Sequence, residues 1–178
     1  KICLMQCNTN YTGKIENLKF INLNVLKQFK KIFPKAILGL SDHTPGHATV
    51  LGAIALGARV VEKHFTYSNK AEGPDHAFSM NSKSWREMID RSRELELSLG
   101  TSEKKVESNE KETVMVQRRS AHLLKNMKKN EKIRKEYLSF LRPALEGSVK
   151  PYELNKVIKY KVKKNKSIGD ILLWKDLK

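Results

Sequence analysis

Cysteine is scarce in this 178-residue chain, with two residues, Cys3 and Cys7. Four apart in one apolar run, they would sit about 13 Å from each other on one side of a strand, beyond disulfide reach. A CxxxC pair with no further cysteine also lacks the ligand count of a zinc site. Two small buried thiols in a reducing cytoplasm are expected. No apolar run approaches the ~18 residues of a membrane span, and no charged start with a small-residue cleavage site marks a secretory leader. Aromatic residues make up only 7% of the chain. Their scarcity counts against a reader of nucleic acid, although 35 Lys and Arg against 19 Asp and Glu leave a net charge of +16. The excess is mostly lysine in scattered KK pairs, whereas readers of bases and single strands use arginine and stacking aromatics. The expectation is a solvated lysine surface with neither nucleic acid nor membrane as partner, whose field also attracts acidic small molecules.

What is present is a globular composition, 39% hydrophobic and 30% charged. Its length suits one domain or one and a half. The chain begins without Met in KICLMQC, which reads as the inside of a strand and suggests a fragment. Three times in the first hundred residues a short apolar run passes through a polar loop into a helical pattern. KICLMQC leads through NTNYTGK to a helix predicted over 16–33, with Leu18, Ile21, Val25, Leu26 and Phe29 at helical spacing and Pro34 at its end. AILGL leads through SDHTPGH to ATVLGAIALGA, and RVVEKHF leads through TYSNKAEGPDHAF to a helix over 82–99. Asn81 or Ser82 caps that last helix and Gly100 stops it. Such alternation implies a parallel sheet with crossover helices, an α/β fold.

Residues 101–118 are polar and weakly periodic and read as a linker; 119–178 read as a smaller β-rich unit. The smaller unit carries an internal echo, NMKKNEKI at 126–133 and KVKKNKSI at 161–168. Each reads as a strand, a tight KKN turn and an apolar residue that packs back.

The polar clusters fall at strand ends, the face on which α/β folds build sites. Ser41 and Asp42 precede His43, Glu62 lies two before His64, and Asp75 precedes His76. Imidazole with carboxylate is the donor mix of divalent metal and proton-transfer sites. Glu62 and His64 alternate onto one side of a strand, as do Ser41 and His43. Adjacent parallel strands lie about 4.8 Å apart, so two such ends can bring both histidines to one ion. His47 lies past the turn, and His122 reads as ordinary surface.

The stretches LMQCNTNY at 4–11, LGLSDHT at 38–44, ALGARVVEKHFT at 55–66, GPDHAFSM at 73–80 and QRRS at 117–120, in this order, resemble the sialic acid synthase (N-acetylneuraminate or nonulosonate synthase) family. The resemblance implies a partial TIM (β/α) barrel, its last three β/α units, over 1–100, then the linker and a small SAF (antifreeze-like) domain over 119–178. It implies a transferase that condenses phosphoenolpyruvate with an N-acyl hexosamine of the N-acetylmannosamine type to a nine-carbon keto acid. It also implies Mn2+ or Mg2+ on His43 and His64, with Glu62 and Asp75 as catalytic carboxylates. Ser41, Thr9, Tyr11, His76 and Arg142 would bind substrate, and a full-length protein would form a domain-swapped homodimer. A chain lacking the earlier strands is expected to be inactive alone. The competing reading is a non-catalytic carbohydrate- or protein-binding module built on a decayed barrel.

Overall fold

The computed structural model describes residues 2–11 and 13–178. The chain divides into two compact units, Lys1–Ser102 and Glu103–Lys178. The first is a mixed α/β unit around a parallel sheet of β1 (Cys3–Cys7), β2 (Ile37–Asp42) and β3 (Val60–Lys63), in that spatial order. The helices are α1 (Val25–Ile32), α2 (Ala48–Ala55) and α3 (Ser82–Leu99).

Alternation along the strands separates two faces of the sheet. Leu38 and Leu40 point to a core shared with Ile21, Leu26, Val50, Ala53 and Met88 from the helical layer. On the other face the row Cys7, Ser41, Glu62 is in register across all three strands. That face stays accessible, which corrects the expectation for the cysteines: Cys3 and Cys7 are free and exposed. A thiol is small and apolar wherever it sits; alternation decides its side, and the apolar context of the run conceals this.

The helix predicted over 16–33 is two elements. A 3-10 helix spans Ile15–Phe20, and α1 starts only at Val25. Asn22 lies between them at φ 50, a left-handed conformation that asparagine tolerates and a continuous helix does not. The helix over 82–99 forms as its end signals require. Asn81 Oδ1 accepts from the Ser84 amide and Ser84 Oγ accepts from the Asn81 amide, each at 3.0 Å, and Gly100 ends the helix at φ 50.

In the second unit, α4 (Lys111–Gln117) occupies the end of the segment expected to be a linker. After it come antiparallel β4 (Ser120–Leu123) and β5 (Leu138–Leu141), then the one-turn α5 (Leu154–Val157). The core joins Ala121, Leu123, Met127, Ile133, Val149, Val157, Val162 and Leu172. The two sequence echoes abut: Met127 and Lys166 exchange backbone hydrogen bonds, and the Lys129 amide donates to Asn165 Oδ1. They are joined by isolated bridges rather than strands, and only the first packs its apolar residue back. Ile133 is buried, whereas Ile168 is 64% exposed.

Asp176 is buried in this unit. Its Oδ2 lies 2.5 Å from Lys166 Nζ, off the geometry of a directed hydrogen bond, so the contact is an ion pair. Burial pushes the carboxyl pKa up, but Lys166, with help from Lys164 and Lys175, outweighs it and holds the group below its ordinary value. A depressed folded-state pKa stabilises the fold above the unfolded value of about 3.9 and loses that contribution as pH falls through the folded one. Acid titration of the thermal midpoint should therefore show a decline below about pH 4, and Asp176→Asn should remove that part of it.

Candidate active site

The carboxyl ends of the three strands converge on two imidazoles. Ser41 pairs with Glu62 and Asp42 with Lys63 across the β2–β3 ladder. Continuing the register brings His43 opposite His64, each just past its strand. Their ring centroids are 5.1 Å apart, the spacing that neighbouring parallel strands impose. The equal offset of 21 residues between the members of each rung is how the sequence encodes the juxtaposition.

Each ring has an oxygen beside its Nδ1. His43 Nδ1 lies 3.0 Å from the Asn8 carbonyl, just past β1. A carbonyl can only accept, so Nδ1 donates this bond, and in the neutral ring Nε2 then carries the lone pair. His64 Nδ1 lies 3.5 Å from Asp75 Oδ2, the carboxylate–imidazole arrangement that orients metal-binding histidines. These contacts fall on Nδ1 of each ring, so Nε2 is the nitrogen that a metal would use. Among the described residues no group of three or more His, Cys, Asp or Glu is disposed to hold a metal. The two imidazoles are the candidate donors on this face, and an ion held by them alone would leave its remaining positions to water and substrate. Imidazole nitrogen is a common ligand type for divalent ions, so the residue types fit such a group.

Aromatic rings wall the pair. Tyr11 packs on His43 at 4.0 Å and on His64 at 5.4 Å between centroids, and Phe78 packs on His64 at 5.3 Å. His43 is 6% exposed under this cover, while the His64 side chain is 28% exposed. A cavity of about 470 Å³ adjoins, lined by Tyr11, Pro45, Pro74, Phe78 and Ser84 among others. A larger cavity of about 590 Å³, lined by Ile2, Leu4, Phe33 and Pro34, is apolar and holds none of these groups.

The other sequence-derived candidates separate. Glu62 does not touch either imidazole; its Oε1 accepts from Ser41 Oγ at 2.7 Å. It bonds its neighbour on the same rung, which lies two residues before the histidines on the same face of the sheet. His76 turns into its own loop, with Nδ1 2.7 Å from Thr66 Oγ1. The Asn69 amide holds that loop through the carbonyls of His76 and Ser79. Thr9 is exposed beside the Asn8 anchor. Arg142 belongs to the second unit, where its Nε donates to the Gln117 carbonyl at 2.7 Å.

Sequence reasoning missed Phe78, the Asn8 carbonyl and Gly13. Gly13 has φ +61, and a Cβ there would lie 2.2 Å from Phe78 Cβ. Gly13→Ala combines left-handed strain with overpacking and is expected to cost about 1–3 kcal/mol. It should also displace Phe78 from His64, a change that the ring-current shifts of the His64 protons would report.

A profile of the NeuB family matches residues 1–104. The chain belongs to the NeuB family. Among NeuB-like relatives, it is 36% identical to an uncharacterized protein of Methanocaldococcus jannaschii, over 99% of this chain and 50% of that one. It is 32% identical to the N,N'-diacetyllegionaminic acid synthase of Legionella pneumophila, over 99% of this chain and 48% of that one. The fold resembles the crystal structure of a spore coat polysaccharide biosynthesis protein E from Chromobacterium violaceum, with TM-score 0.66 and 21% identity, covering 99% of this chain and 52% of that one. The chain thus spans about half the length of the relatives it matches. Both imidazoles, with Thr9, Tyr11, Ser41, Glu62, Asp75 and His76, lie inside the NeuB match, and Arg142 lies beyond it. Among the described residues no helix is long and apolar enough to cross a membrane.

Proposed function

We propose that the chain contributes the metal-binding part of an active site that condenses phosphoenolpyruvate with an N-acyl hexosamine to a nine-carbon keto acid. The observation that carries this reading is the pair of imidazoles 5.1 Å apart, each with an oxygen beside its Nδ1, for His64 that of Asp75. The sheet is read as part of a TIM barrel, the second unit as an SAF domain, and the reaction as a step of carbohydrate biosynthesis.

His43 and His64 would hold Mn2+ or Mg2+ through Nε2. A bound ion would supply Lewis-acid polarisation of the aldehyde oxygen. The chain's own residues do the rest of the local work. The Asn8 carbonyl fixes the His43 tautomer, and Asp75 orients His64. The Tyr11 and Phe78 rings exclude water from one side of the pair and offer an apolar surface to the sugar. The Ser41 hydroxyl now donates to Glu62; it turns from that carboxylate to donate to a phosphate oxygen. Glu62, with Oε2 outside that bond, is placed to accept a proton from a bound water. Thr9, exposed beside the Asn8 carbonyl, would contact substrate, His76 would do so by turning from Thr66, and Arg142 would meet the N-acyl group across a swapped homodimer.

The test is a chimera in which this chain replaces the corresponding half of the Legionella synthase, assayed for phosphate release from phosphoenolpyruvate with an N-acyl hexosamine. Release should depend on Mn2+ or Mg2+ and fall to background in a His64→Ala chimera, and the 178 residues alone should release none. A folded chimera without turnover, or turnover indifferent to His64, contradicts the reading.

A further inference from the structure

Behind the histidines, on the helix-facing side of the sheet, lies a buried ion pair that the proposed chemistry does not use. Asp42 immediately precedes His43 and Lys63 immediately precedes His64. Together they form the last rung of the β2–β3 ladder. Lys63 Nζ lies 2.5 Å from Asp42 Oδ2, and their side chains are 3% and 0% exposed. The same ammonium donates to the Thr44 carbonyl at 2.7 Å. Lys63 therefore grips the residue on each side of His43 from the position beside His64. Asp42 is saturated in turn: the Thr44 amide, the Thr44 hydroxyl and the Thr49 hydroxyl all donate to its carboxylate. Thr49 sits in the first turn of α2, so the cluster also ties the SDHT loop to the helix that follows.

We propose that Asp42 and Lys63 are positioning residues that staple the two histidine-bearing strand ends and set the interval between the imidazoles. The paired ladder ends at this rung, and both histidines lie just past it, outside the strands. Past that point the Lys63 bridge to Asp42 and to the Thr44 carbonyl is the cross-strand restraint that brackets His43 on both flanks. Because alternation sends the pair and the histidines to opposite faces, the staple fixes the site without occupying it. Its relevance to metal rests on the reading above, but the interval itself exists without metal.

Two variants and two readouts separate a staple from mere support of the fold. Lys63→Met leaves a buried, uncompensated carboxylate, whereas Asp42→Asn with Lys63→Met removes the bridge and leaves no unpaired charge. In the metal-free parent, imidazole protons of His43 and His64 should show a nuclear Overhauser contact. Both variants should lose it, and Mn2+ affinity should fall about 10–100-fold, the usual effect of removing an orienting residue, with the far-UV spectrum of the double variant unchanged. If a lone buried charge were the whole problem, the double variant would regain the parental contact and affinity; that result overturns the staple. Absence of the contact in the parent overturns it too. Should Lys63→Met fail to fold, the double variant decides alone. A parent that binds no Mn2+ but shows a contact dependent on the pair keeps the staple and removes the metal reading.

Discussion

Alanine at either His43 or His64 is expected to lower Mn2+ affinity by more than about 100-fold, since partners that merely orient a ligand are worth 10–100-fold. In the proposed site two imidazoles hold the ion, so losing one would leave a single nitrogen that holds it little better than a surface histidine does. The fold should survive each change. His64 is partly exposed, and His43 contributes one hydrogen bond to the Asn8 carbonyl rather than a link in the core. His47→Ala is the matched control. That residue caps α2 without a side-chain hydrogen bond, and its loss should leave the titration unchanged. Isothermal titration with Mn2+ reads all three variants. Equal affinity in His43→Ala and His47→Ala would remove the ion from this site.

The largest loss of stability is expected from Lys63→Met. Deleting one member of a buried, hydrogen-bonded ion pair costs about 3–5 kcal/mol, because the surviving charge stays out of water without compensation. Asp42, fully buried, accepts bonds from Thr44 and Thr49 that presuppose a carboxylate held beneath the helix. Adding Asp42→Asn should recover most of the loss, since a neutral amide tolerates burial when hydrogen-bonded. Urea unfolding followed through Trp85, with Trp174 replaced by Phe, isolates the first unit. A midpoint for Lys63→Met within error of the parent would show that water reaches Asp42 and solvates its charge.

Much of the first unit was legible because its signals are local. Apolar runs mark the strands, and Asn81 with Gly100 marks both ends of α3. The break at Asn22 was not legible, since apolar spacing continues across a residue whose φ is 50. The two histidines were readable as a pair because alternation and ladder spacing are periodic properties of strands. Which oxygen each ring meets depends on loops. Asp75 comes to His64 from a turn eleven positions later, and Asn8 offers a backbone carbonyl that no motif records. Alternation puts Glu62 on the histidines' side of the strand, and it also puts Ser41 there as its cross-strand hydrogen-bond partner, which the motif does not record. The Asp42–Lys63 pair carried a readable signal: each residue precedes a histidine, at the same offset of 21 as the Ser41–Glu62 rung. In the second unit the echo was visible in sequence, whereas its closure by isolated bridges was not.

Pulsed electron paramagnetic resonance of Mn2+ added to the chain bears most directly on the paired imidazoles. Nitrogen couplings from two histidines are expected in the parent and from one in His43→Ala and in His64→Ala. A spectrum of the fully hydrated ion, or couplings that survive both substitutions, would contradict a metal held between these strand ends.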